Sequence, residues 1–463
     1  MSYIGNPIIS TDFPKDTFSG NGSTTAFTMS IAPASVNAVI VVVSGVVQEP
    51  STYTISGTTL TFSAAPPSGT SNISVRHLGV AGIPNVPSAA SVTSDKLATQ
   101  TSIPFATGSI GAGNASIMKN RIINGAMVID QRNAGASVTP TNNQYSLDRW
   151  QFQGSQASKL TMQQNAGSVT PPVGFVNYLG VTSSSAYSVG ATDYFLVRQA
   201  IEGYNMADLG WGTANAKTVT LSFQVYSSLT GIFGGSLSNN GDSRCYPFSY
   251  TVSSANTWTT VSITIAGDTT GTWQKTTSTG INIYFSMGTG STYLGSAGTW
   301  AGTAYYGATG QTNLVGTNGA TFYITGVQLE VGSSATGFEY RQYGTELALC
   351  QRYAWVTSRI AATPIALGQA VNTNYVTCML NNPVPMRTAP SISINNQTYF
   401  RLTNAANSGL ANTSSGSLGT ANENITRVDF VSSSTYLVAG NVSALLNSDT
   451  SNNNGIITIS AEL

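Results

Sequence analysis

Short runs of β-branched and aromatic residues, separated by turn residues, dominate this chain and most constrain its fold. In the run from Thr218 to Tyr226 every second residue is apolar, namely Val219, Leu221, Phe223 and Val225. This period of two predicts a strand with one buried face and one solvated face. Similar runs, beginning with Arg121 to Gln131, follow one another up to about residue 343 without a long helix. Many strands at this spacing predict a β-sandwich or jelly roll.

An earlier group of runs lies between Asp12 and Gly79, where turn pairs such as Asn21-Gly22 separate them closely. This spacing predicts a small antiparallel β-sandwich module in residues 1–80. His77 stands near the end of the last run, and we expect it to be a surface residue. Residues 81–118 are rich in Gly, Pro, Ser and Ala without an apolar period, which indicates a linker.

One short segment breaks the β pattern. Thr345 is a candidate N-cap, and Leu347, Cys350 and Ala354 follow at helical spacing. We therefore predict a connecting helix in residues 344–360, between a central jelly-roll β-sandwich at 119–343 and a C-terminal β domain at 361–463. The strands predicted in the C-terminal domain are Val371–Asn381, Ser391–Asn395, Tyr399–Leu402, Arg427–Val431, Thr435–Ala439 and Ile456–Ile459. The predicted fold class is all-β.

Charged residues make up only 8% of the chain, 18 basic and 18 acidic, so the formal net charge is zero. Nucleic-acid binding draws most of its affinity from basic residues that neutralise phosphates, so DNA and RNA are poor candidate partners. The longest apolar run, Val36 to Val47, is interrupted by Asn37 and is shorter than the roughly 20 residues of a membrane helix. We expect neither nucleic-acid binding nor membrane insertion.

The first residues, Met1 to Pro7, lack the basic start and apolar core of a signal peptide. Cys245, Cys350 and Cys378 are odd in number and far apart, which favours buried free thiols over a disulfide framework. The composition is nevertheless typical of an extracellular β protein. We therefore expect synthesis in a reducing cytosol without a secretion signal, followed by release through lysis.

The residue types needed for metal or triad chemistry are scarce. His77 is the only histidine, which removes most support for histidine-based zinc sites and Ser-His-Asp triads. The loop from Asn239 to Asp242 offers oxygen ligands for Ca²⁺, but a single carboxylate in a turn is better explained as a plain turn. We predict no catalytic residue, no metal site and no cofactor.

Aromatic residues and neutral hydrogen-bonding residues are suited to binding sugars. Aromatic faces stack on the C–H surfaces of sugars, and Asn, Ser and Thr bond to their hydroxyls. Four aromatic residues lie among Gly, Ser and Thr and are our candidates for an exposed glycan-binding platform: Trp273, Trp300, Tyr305 and Tyr306. The alternative is that these rings cover the core of the sandwich.

Several ordered motifs resemble a known family. They are Asn120-Arg-Ile-Ile-Asn-Gly-Ala-Met-Val-Ile-Asp-Gln-Arg132, Tyr145-Ser-Leu-Asp-Arg-Trp150, Thr321-Phe-Tyr-Ile-Thr-Gly-Val-Gln-Leu-Glu-Val-Gly332 and Ala335-Thr-Gly-Phe-Glu339. Together they look like the carbohydrate-binding-module-like jelly roll of bacteriophage tail fibres. The N-terminal module and the stretch from Asn382 to Pro390 are similar to other parts of such fibres. The residues treated as framework positions of this family are Asn124, Gln131, Arg132, Asp148, Trp150, Gln328, Glu330 and Glu339.

These framework residues have expected structural roles. Asp148 could neutralise an arginine at the edge of the jelly roll, with Trp150 buried behind it. Glu330 and Glu339 could hold backbone groups or Arg341 in place.

The resemblance implies a homotrimeric fibre in the tail of a virion. Its N-terminal module would attach to tail or adaptor proteins, and its distal part would adsorb to host cell-surface polysaccharide or lipopolysaccharide. An alternative distal binding surface would be formed by Tyr375, Tyr399 and Tyr436. The 81–118 spacer offers neither β-helical repeats nor coiled-coil heptads, so a short fibre is expected.

Two other functions stay open from the sequence. A tailspike-like depolymerase would need two carboxylates flanking a glycosidic bond, and the acidic residues form no suggestive local cluster. A passive tail adaptor would need only the N-terminal module and the trimer contacts.

Overall fold

The computed structural model describes residues 13–78, 118–358, 360, 363–403, 410–447 and 455–463. These residues form 29 strands, short 3-10 turns and one α-helix, and the predicted all-β fold class is confirmed. The chain divides into two compact units, residues 1–104 and 105–463. The linker predicted at 81–118 lies outside the described residues, except for Met118.

The first unit contains two small antiparallel sheets. One has the strand order β1-β7-β3-β4 and the other β2-β6-β5, and their inner faces enclose a core that includes Val41, Leu60 and Ile73. The strands are β1 (Lys15–Gly20), β2 (Ala26–Thr28), β3 (Val39–Val43), β4 (Val46–Val47), β5 (Tyr53–Ser56), β6 (Thr59–Phe62) and β7 (Gly69–His77).

The expectation that His77 is a surface residue is wrong. The side chain is completely buried, and its Nε2 lies 2.9 Å from Oδ2 of Asp16. Because β1 pairs with β7 in a register that places Lys15 opposite Arg76, Asp16 lies close enough to supply a polar partner for the buried ring. Burial of an imidazole is tolerated when it has such a partner.

The central part of the second unit is a sandwich of two antiparallel sheets. A five-stranded sheet (β10-β11-β20-β13-β16) faces a six-stranded sheet (β15-β14-β17-β12-β9-β8) across one large apolar core. Its strands are β8 (Tyr145–Leu147), β9 (Trp150–Gly154), β10 (Leu160–Gln164), β11 (Leu179–Ser183), β12 (Tyr194–Glu202), β13 (Val219–Ser227), β14 (Gly231–Ser238), β15 (Cys245–Val252), β16 (Thr259–Ile265), β17 (Thr279–Thr289) and β20 (Thr321–Val331). Two short strands, β18 (Leu294–Gly295) and β19 (Gly307–Ala308), pair in a separate parallel sheet.

Strand β13 shows what alternation does and does not predict. Its four alternate apolar residues, Val219 to Val225, are buried in the core as expected. The opposite face is less solvated than predicted, because Thr220 is fully buried and donates to the carbonyl oxygen of Gly332 at 2.8 Å. On the same face Tyr226 stacks on Tyr323 with the ring centroids 5.3 Å apart. Neighbouring loops and rings therefore cover this face in part.

The predicted strand from Arg121 to Gln131 is absent from the structure, which has irregular backbone there. Asn124 and Met127 both have φ of 57°, a left-handed conformation that interrupts a strand. Side-chain acceptors take the place of the backbone hydrogen bonds that a neighbouring strand would provide. Gln199 Oε1 accepts from the Ile123 N–H at 2.9 Å, and Asn124 Oδ1 accepts from the Ile129 N–H at 3.0 Å.

The rest of the second unit contains a short helix and a β barrel. Helix α1 (Tyr343–Gln351) is shorter than the predicted segment 344–360, and the predicted cap Thr345 lies inside it. No side chain caps the helix, and Ala354, expected on it, lies on the following strand. Six strands close into a barrel, β22-β23-β27-β26-β25-β28, beside a sheet ordered β21-β29-β24. The strands are β21 (Ala354–Val356), β22 (Pro364–Ala370), β23 (Tyr375–Asn381), β24 (Ser391–Ile394), β25 (Phe400–Thr403), β26 (Leu410–Ala421), β27 (Ile425–Ser432), β28 (Val442–Asn447) and β29 (Ile457–Ser460).

The last described residues, 461–463, contact the central sandwich through charged groups. Glu462 forms an ion pair with Arg132 at 2.8 Å and a second one with Arg149, whose guanidinium also lies over the ring of Tyr353. The side chain of Arg149 is only 1% exposed. We call Arg132, Arg149 and Glu462 the arginine junction. Because an unpaired charge is costly in a buried position, this junction couples the end of the described chain to the sandwich.

Candidate functional site

The framework residues in the first motif act on the backbone. The Asn124 Nδ2 group donates to the carbonyl oxygens of Ile129 at 2.8 Å and Asp148 at 3.0 Å, and Trp150 Nε1 donates to the Asn124 carbonyl oxygen at 3.0 Å. Asn124 and Trp150 are both fully buried. These bonds fix the irregular segment before β9 against the sandwich.

Asp148 is buried, and its carboxylate accepts hydrogen bonds from the backbone and the side chain of Gln131, each at 2.7 Å. Burial disfavours the charged form and raises the pKa of Asp148 to about 6, against the lowering effects of the positive charge of Arg132 and of the Gln131 hydrogen bonds. The ion-pair partner of Arg132 and Arg149 is Glu462.

The raised pKa of Asp148 predicts a pH dependence of stability. The folded protein holds this proton more tightly than the unfolded chain, whose ordinary value is 3.8. The resulting stabilisation is complete below pH 3.8 and is lost as the pH rises through about 6. A difference of roughly two pKa units corresponds to about 3 kcal/mol. We expect the free energy of unfolding, measured by denaturant titration, to fall across this window.

The Asp148→Asn variant tests this dependence through the slope of the unfolding free energy against pH, since loss of the carboxylate's hydrogen bonds lowers stability at every pH. Its curve should lack the fall between pH 4 and 6, and the matched Asp208→Asn variant should keep it, because the Asp208 carboxylate is 48% exposed. Equal slopes in the wild type and the Asp148→Asn variant would contradict the assignment.

The other three framework residues form a polar cluster on the outer side of β20. Glu330 accepts from Gln328 Nε2 at 2.9 Å and from Thr336 N–H at 2.8 Å. Glu339 accepts from the Asn120 N–H at 2.7 Å and lies 3.4 Å from a guanidinium nitrogen of Arg341. Both carboxylates therefore hold backbone segments around β20.

Of the four predicted platform residues, two lie in a tryptophan cluster and one lies in a separate tyrosine cluster. Trp273 and Trp300 meet Trp211 with centroids 4.7 to 5.6 Å apart. Trp273 is only 6% exposed, so its expected role in an exposed platform is wrong and it is a core residue. Trp300 is half-buried and donates from Nε1 to the carbonyl oxygen of Ala266 at 2.8 Å. Trp211 and Trp273 belong to the core of the sandwich, and Trp300 packs against it.

Tyr306 belongs to the second cluster. Its half-buried ring lies 5.5 Å from Tyr194 and 5.0 Å from Tyr293, which are also half-buried, and its hydroxyl donates to Asp242 Oδ2 at 3.3 Å. Below it, the buried Tyr284 donates to Asp242 Oδ1 at 3.0 Å. We call Tyr194, Tyr293, Tyr306 and Asp242 the tyrosine surface. Tyr305 is also half-buried but packs against Gly295 instead.

Beside the tyrosine surface, buried polar residues line the outer face of the six-stranded sheet. Strand alternation places Tyr194 and Arg198 of β12 on this face, and Arg198 pairs in register with Tyr284 of β17. Arg198 Nε donates to Asn282 Oδ1 at 2.9 Å, and its Nη1 donates to Gln151 Oε1 at 2.6 Å. Aromatic rings and neutral amides therefore line one side of the sheet.

Sequence reasoning did not single out Tyr194, Tyr293 or Asp242 as binding residues. Tyr194 was predicted to lie on a strand, but the continuous apolar run from Phe195 to Val197 gives no period of two that would indicate its outward direction. No local signal brings Tyr293 and Asp242 to it, since they approach through separate loops. In this structure the Asp242 carboxylate of the Asn239–Asp242 turn accepts hydrogen bonds from the hydroxyls of Tyr284 and Tyr306.

The alternative distal residues do not form a common ring cluster among the described residues. Tyr375 lies on β23 beside the Arg427–Asp429 ion pair. Tyr399 and Tyr436 are half-buried, and Tyr436 packs against the barrel core. Within the described ranges these three rings make no aromatic contact with one another.

The described residues contain no group of three or more His, Cys, Asp or Glu side chains placed to hold a metal ion. All three cysteines are free and buried, as predicted. Burial raises the pKa of Cys378 to about 12, which disfavours a reactive thiolate. No helix in the described ranges is long and apolar enough to cross a membrane.

Comparisons with protein-family models and with curated proteins found no match. Solved structures similar to part of the chain include the enzymatically active domain of bacteriophage CBA120 tailspike protein 4, at 10% identity and TM-score 0.27, covering 46% of this chain and 22% of that one. A putative sugar-binding protein from Bacteroides thetaiotaomicron matches at 11% identity and TM-score 0.27, covering 46% of this chain and all of the other.

A carbohydrate-binding module solved with β-1,4-galactotriose, TmCBM61, matches at 12% identity and TM-score 0.24, covering 46% of this chain and 99% of that one. These three matches cover less than half of this chain. Evidence for a function therefore comes from the geometry of the tyrosine surface and from the motifs of the sequence.

Proposed function

We propose that this protein is a bacteriophage tail fibre that adsorbs to host cell-surface glycans without cleaving them. The observation that carries this proposal is the tyrosine surface, in which three half-buried rings pack against one another and one of them, Tyr306, donates to the Asp242 carboxylate. The quoted tail-fibre motifs support the same function. On this proposal the fibre belongs to the virion tail, is a homotrimer and attaches through its N-terminal module.

The chemistry of the tyrosine surface suits neutral sugars. Ring faces can stack on sugar C–H groups, and the tyrosine hydroxyls and the Asp242 carboxylate can bond to sugar hydroxyls. The nearby cation, Arg198, already donates to Asn282 and Gln151. Binding would therefore depend little on charge, which agrees with the low charge content of the chain.

The proposal that glycans are not cleaved is supported by the use of acidic residues elsewhere. Glycosidases need a pair of carboxylates free to act as acid and as base or nucleophile. In the second unit several carboxylates are committed to arginines, as in the pairs Glu202–Arg352, Asp268–Arg244 and Glu462–Arg149. Asp242 is bonded to tyrosine hydroxyls. Their arrangement fits a structural role better than catalysis.

Replacing tyrosines of the surface should weaken glycan binding. We expect Tyr293→Ala and Tyr306→Ala each to reduce affinity up to about tenfold, since an aromatic contact contributes about 0.5 to 1.5 kcal/mol beyond its buried area. Binding on a glycan array should persist in 1 M salt, because screening acts on charges and not on stacking. The matched control is Tyr204→Ala, whose ring is 60% exposed and lies outside the surface.

The outcomes of that experiment separate the candidate functions. Reducing-sugar release from a bound polysaccharide would favour a depolymerase. Absence of any glycan binding would favour a passive adaptor. An equal loss of glycan affinity in the Tyr204→Ala control and in the surface variants would show that the tyrosine surface is not the binding site.

The direction of attachment gives a further prediction. Deleting residues 1–79 should leave glycan binding and a three-chain mass in light scattering intact, because the second unit has its own core. Incorporation into phage particles should be abolished. Particles that still carry the truncated chain would contradict attachment through the N-terminal module, and a one-chain mass across micromolar concentrations would contradict the trimer.

A further inference from the structure

Lys119, Gln328 and Glu330 meet on the outer side of the five-stranded sheet. Gln328 and Glu330 alternate on β20 with the core residues Val327 and Leu329, so both point away from the core. Gln328 is completely buried and the Glu330 side chain is 1% exposed. Lys119, 13% exposed, enters this site from the segment that precedes the first strand of the sandwich. A lysine amine and a carboxamide therefore share a mostly dry site with a carboxylate.

The amine and the carboxamide nitrogen share two polar neighbours, the Glu330 carboxylate and the Gly337 carbonyl oxygen. Glu330 Oε1 accepts from Gln328 Nε2 at 2.9 Å, while Glu330 Oε2 lies 3.8 Å from Lys119 Nζ. The carbonyl oxygen of Gly337 accepts from both nitrogens, from Lys119 Nζ at 3.0 Å and from Gln328 Nε2 at 3.3 Å. Gln328 Oε1 accepts from the backbone N–H of Glu339 at 2.8 Å. The amine, the amide nitrogen and the amide oxygen each have a polar neighbour suited to acyl transfer.

We propose that Lys119 and Gln328 join in an intramolecular isopeptide bond, with Glu330 as the catalytic acid and base. The inference is independent of glycan binding and of the tail-fibre proposal. It depends on the geometry of one buried cluster.

The reaction exchanges one amide for another. After Lys119 has lost its ammonium proton, the Nζ lone pair attacks Gln328 Cδ, and the carbonyl electron pair moves to Oε1, where the Glu339 N–H stabilises the negative charge. Glu330 accepts a proton from Nζ and donates it to Nε2. The carbonyl then re-forms, the Cδ–Nε2 bond breaks, and ammonia leaves. The proton first lost by Lys119 leaves with ammonia as ammonium, so atoms and charge balance and no oxidant is needed.

Burial favours this reaction because it holds both groups in one orientation, which makes an otherwise slow bimolecular step intramolecular. Thr336 donates to Glu330 from its backbone N–H at 2.8 Å and from its hydroxyl at 2.6 Å, which fixes the carboxylate between the two nitrogens. The product would fasten residue 119 to β20 by a covalent bond.

Intact-mass measurement of the denatured full-length protein tests the proposal. We expect a mass lower than the sequence mass by one ammonia, and proteolytic mapping should yield a branched peptide that contains Lys119 and Gln328. Lys119→Arg keeps the positive charge but should retain the ammonia and give two separate peptides. Glu330→Gln should leave the bond largely unformed.

Three results would overturn the inference or part of it. A wild-type mass equal to the sequence mass, with Lys119 and Gln328 in separate peptides, would exclude the bond. Loss of ammonia in Lys119→Arg would assign the loss to another site, such as an Asn-Gly pair. Complete bond formation in Glu330→Gln would remove Glu330 from the catalytic role. Lys119→Arg preserves the charge next to Glu330, so this variant tests the bond by itself. The test therefore does not depend on whether the Glu330→Gln variant folds.

Discussion

Replacing Glu462 by alanine is expected to lower the free energy of unfolding of the second unit by about 3 to 5 kcal/mol, the usual cost of leaving a buried charge without its partner. Glu462 neutralises Arg149, which is almost completely buried, and also pairs with Arg132 at 2.8 Å. The remaining acceptor for Arg149 is the carbonyl oxygen of Ala200, which carries no full charge. Denaturant titration followed by intrinsic fluorescence would measure the loss.

The matched control is Glu423→Ala, which removes an exposed glutamate from the same unit. A surface substitution of this kind should change stability by less than about 0.5 kcal/mol. The Glu462→Gln variant keeps hydrogen-bonding capacity without the charge. Its loss in the free energy of unfolding should lie between those of Glu462→Ala and Glu423→Ala. A loss in Glu462→Ala no larger than in Glu423→Ala would show that the arginine junction does not stabilise the fold.

Replacing Trp273 by alanine is expected to cost about 3 to 5 kcal/mol, as large-to-small changes of buried tryptophans do. Its ring packs edge-on against Trp211 at 4.7 Å, and its Nε1 donates to Asp268 Oδ2 at 3.2 Å and to the Thr270 carbonyl oxygen at 3.1 Å. The substitution leaves a cavity and removes a polar partner from the buried Asp268. Thermal unfolding and denaturant titration should both report the change.

Trp300→Ala is the informative comparison, because Trp300 belongs to the same cluster but is only half-buried. We expect a smaller loss, of about 1 to 2 kcal/mol, in proportion to the smaller apolar area that it buries. Neither variant that folds should lose glycan binding, since the proposed site is the tyrosine surface. Strong loss of glycan binding in a stable Trp300→Ala protein would show that Trp300 belongs to the binding site.

The all-β class could be predicted because alternation and turn residues are local signals. Strand β26 was missed, since its sequence of Ser, Thr, Gly, Asn and Ala is typical of loops and becomes a strand through its pairing with β27. The predicted strand Thr435–Ala439 is wrong for the opposite reason. That segment is a loop, and the barrel instead uses β28. Barrel closure overrides local propensity at both places.

The candidate site was less predictable than the fold. Tyr306 was identified from its aromatic character, but its neighbours Tyr194 and Tyr293 come from a strand end and another loop. The exposure of Trp273 was misjudged because Gly and Ser flank core tryptophans as well as exposed ones. The ion pair of Arg149 with Glu462 spans 313 positions, and a single sequence contains no signal for such a pair.

That long separation has a consequence for biosynthesis. At typical rates of about 5 to 20 residues per second, a ribosome needs roughly 15 to 60 seconds to proceed from Arg149 to Glu462. During this interval the remaining strands of the sandwich, β9 to β17 and β20, emerge from the ribosome. Arg149 meanwhile lacks the Glu462 carboxylate that neutralises it in the complete chain. A nascent chain that stops before Glu462 would therefore hold a strained, incompletely packed sandwich. Cellular degradation would remove such fragments preferentially, so chains that contain Glu462 would be enriched.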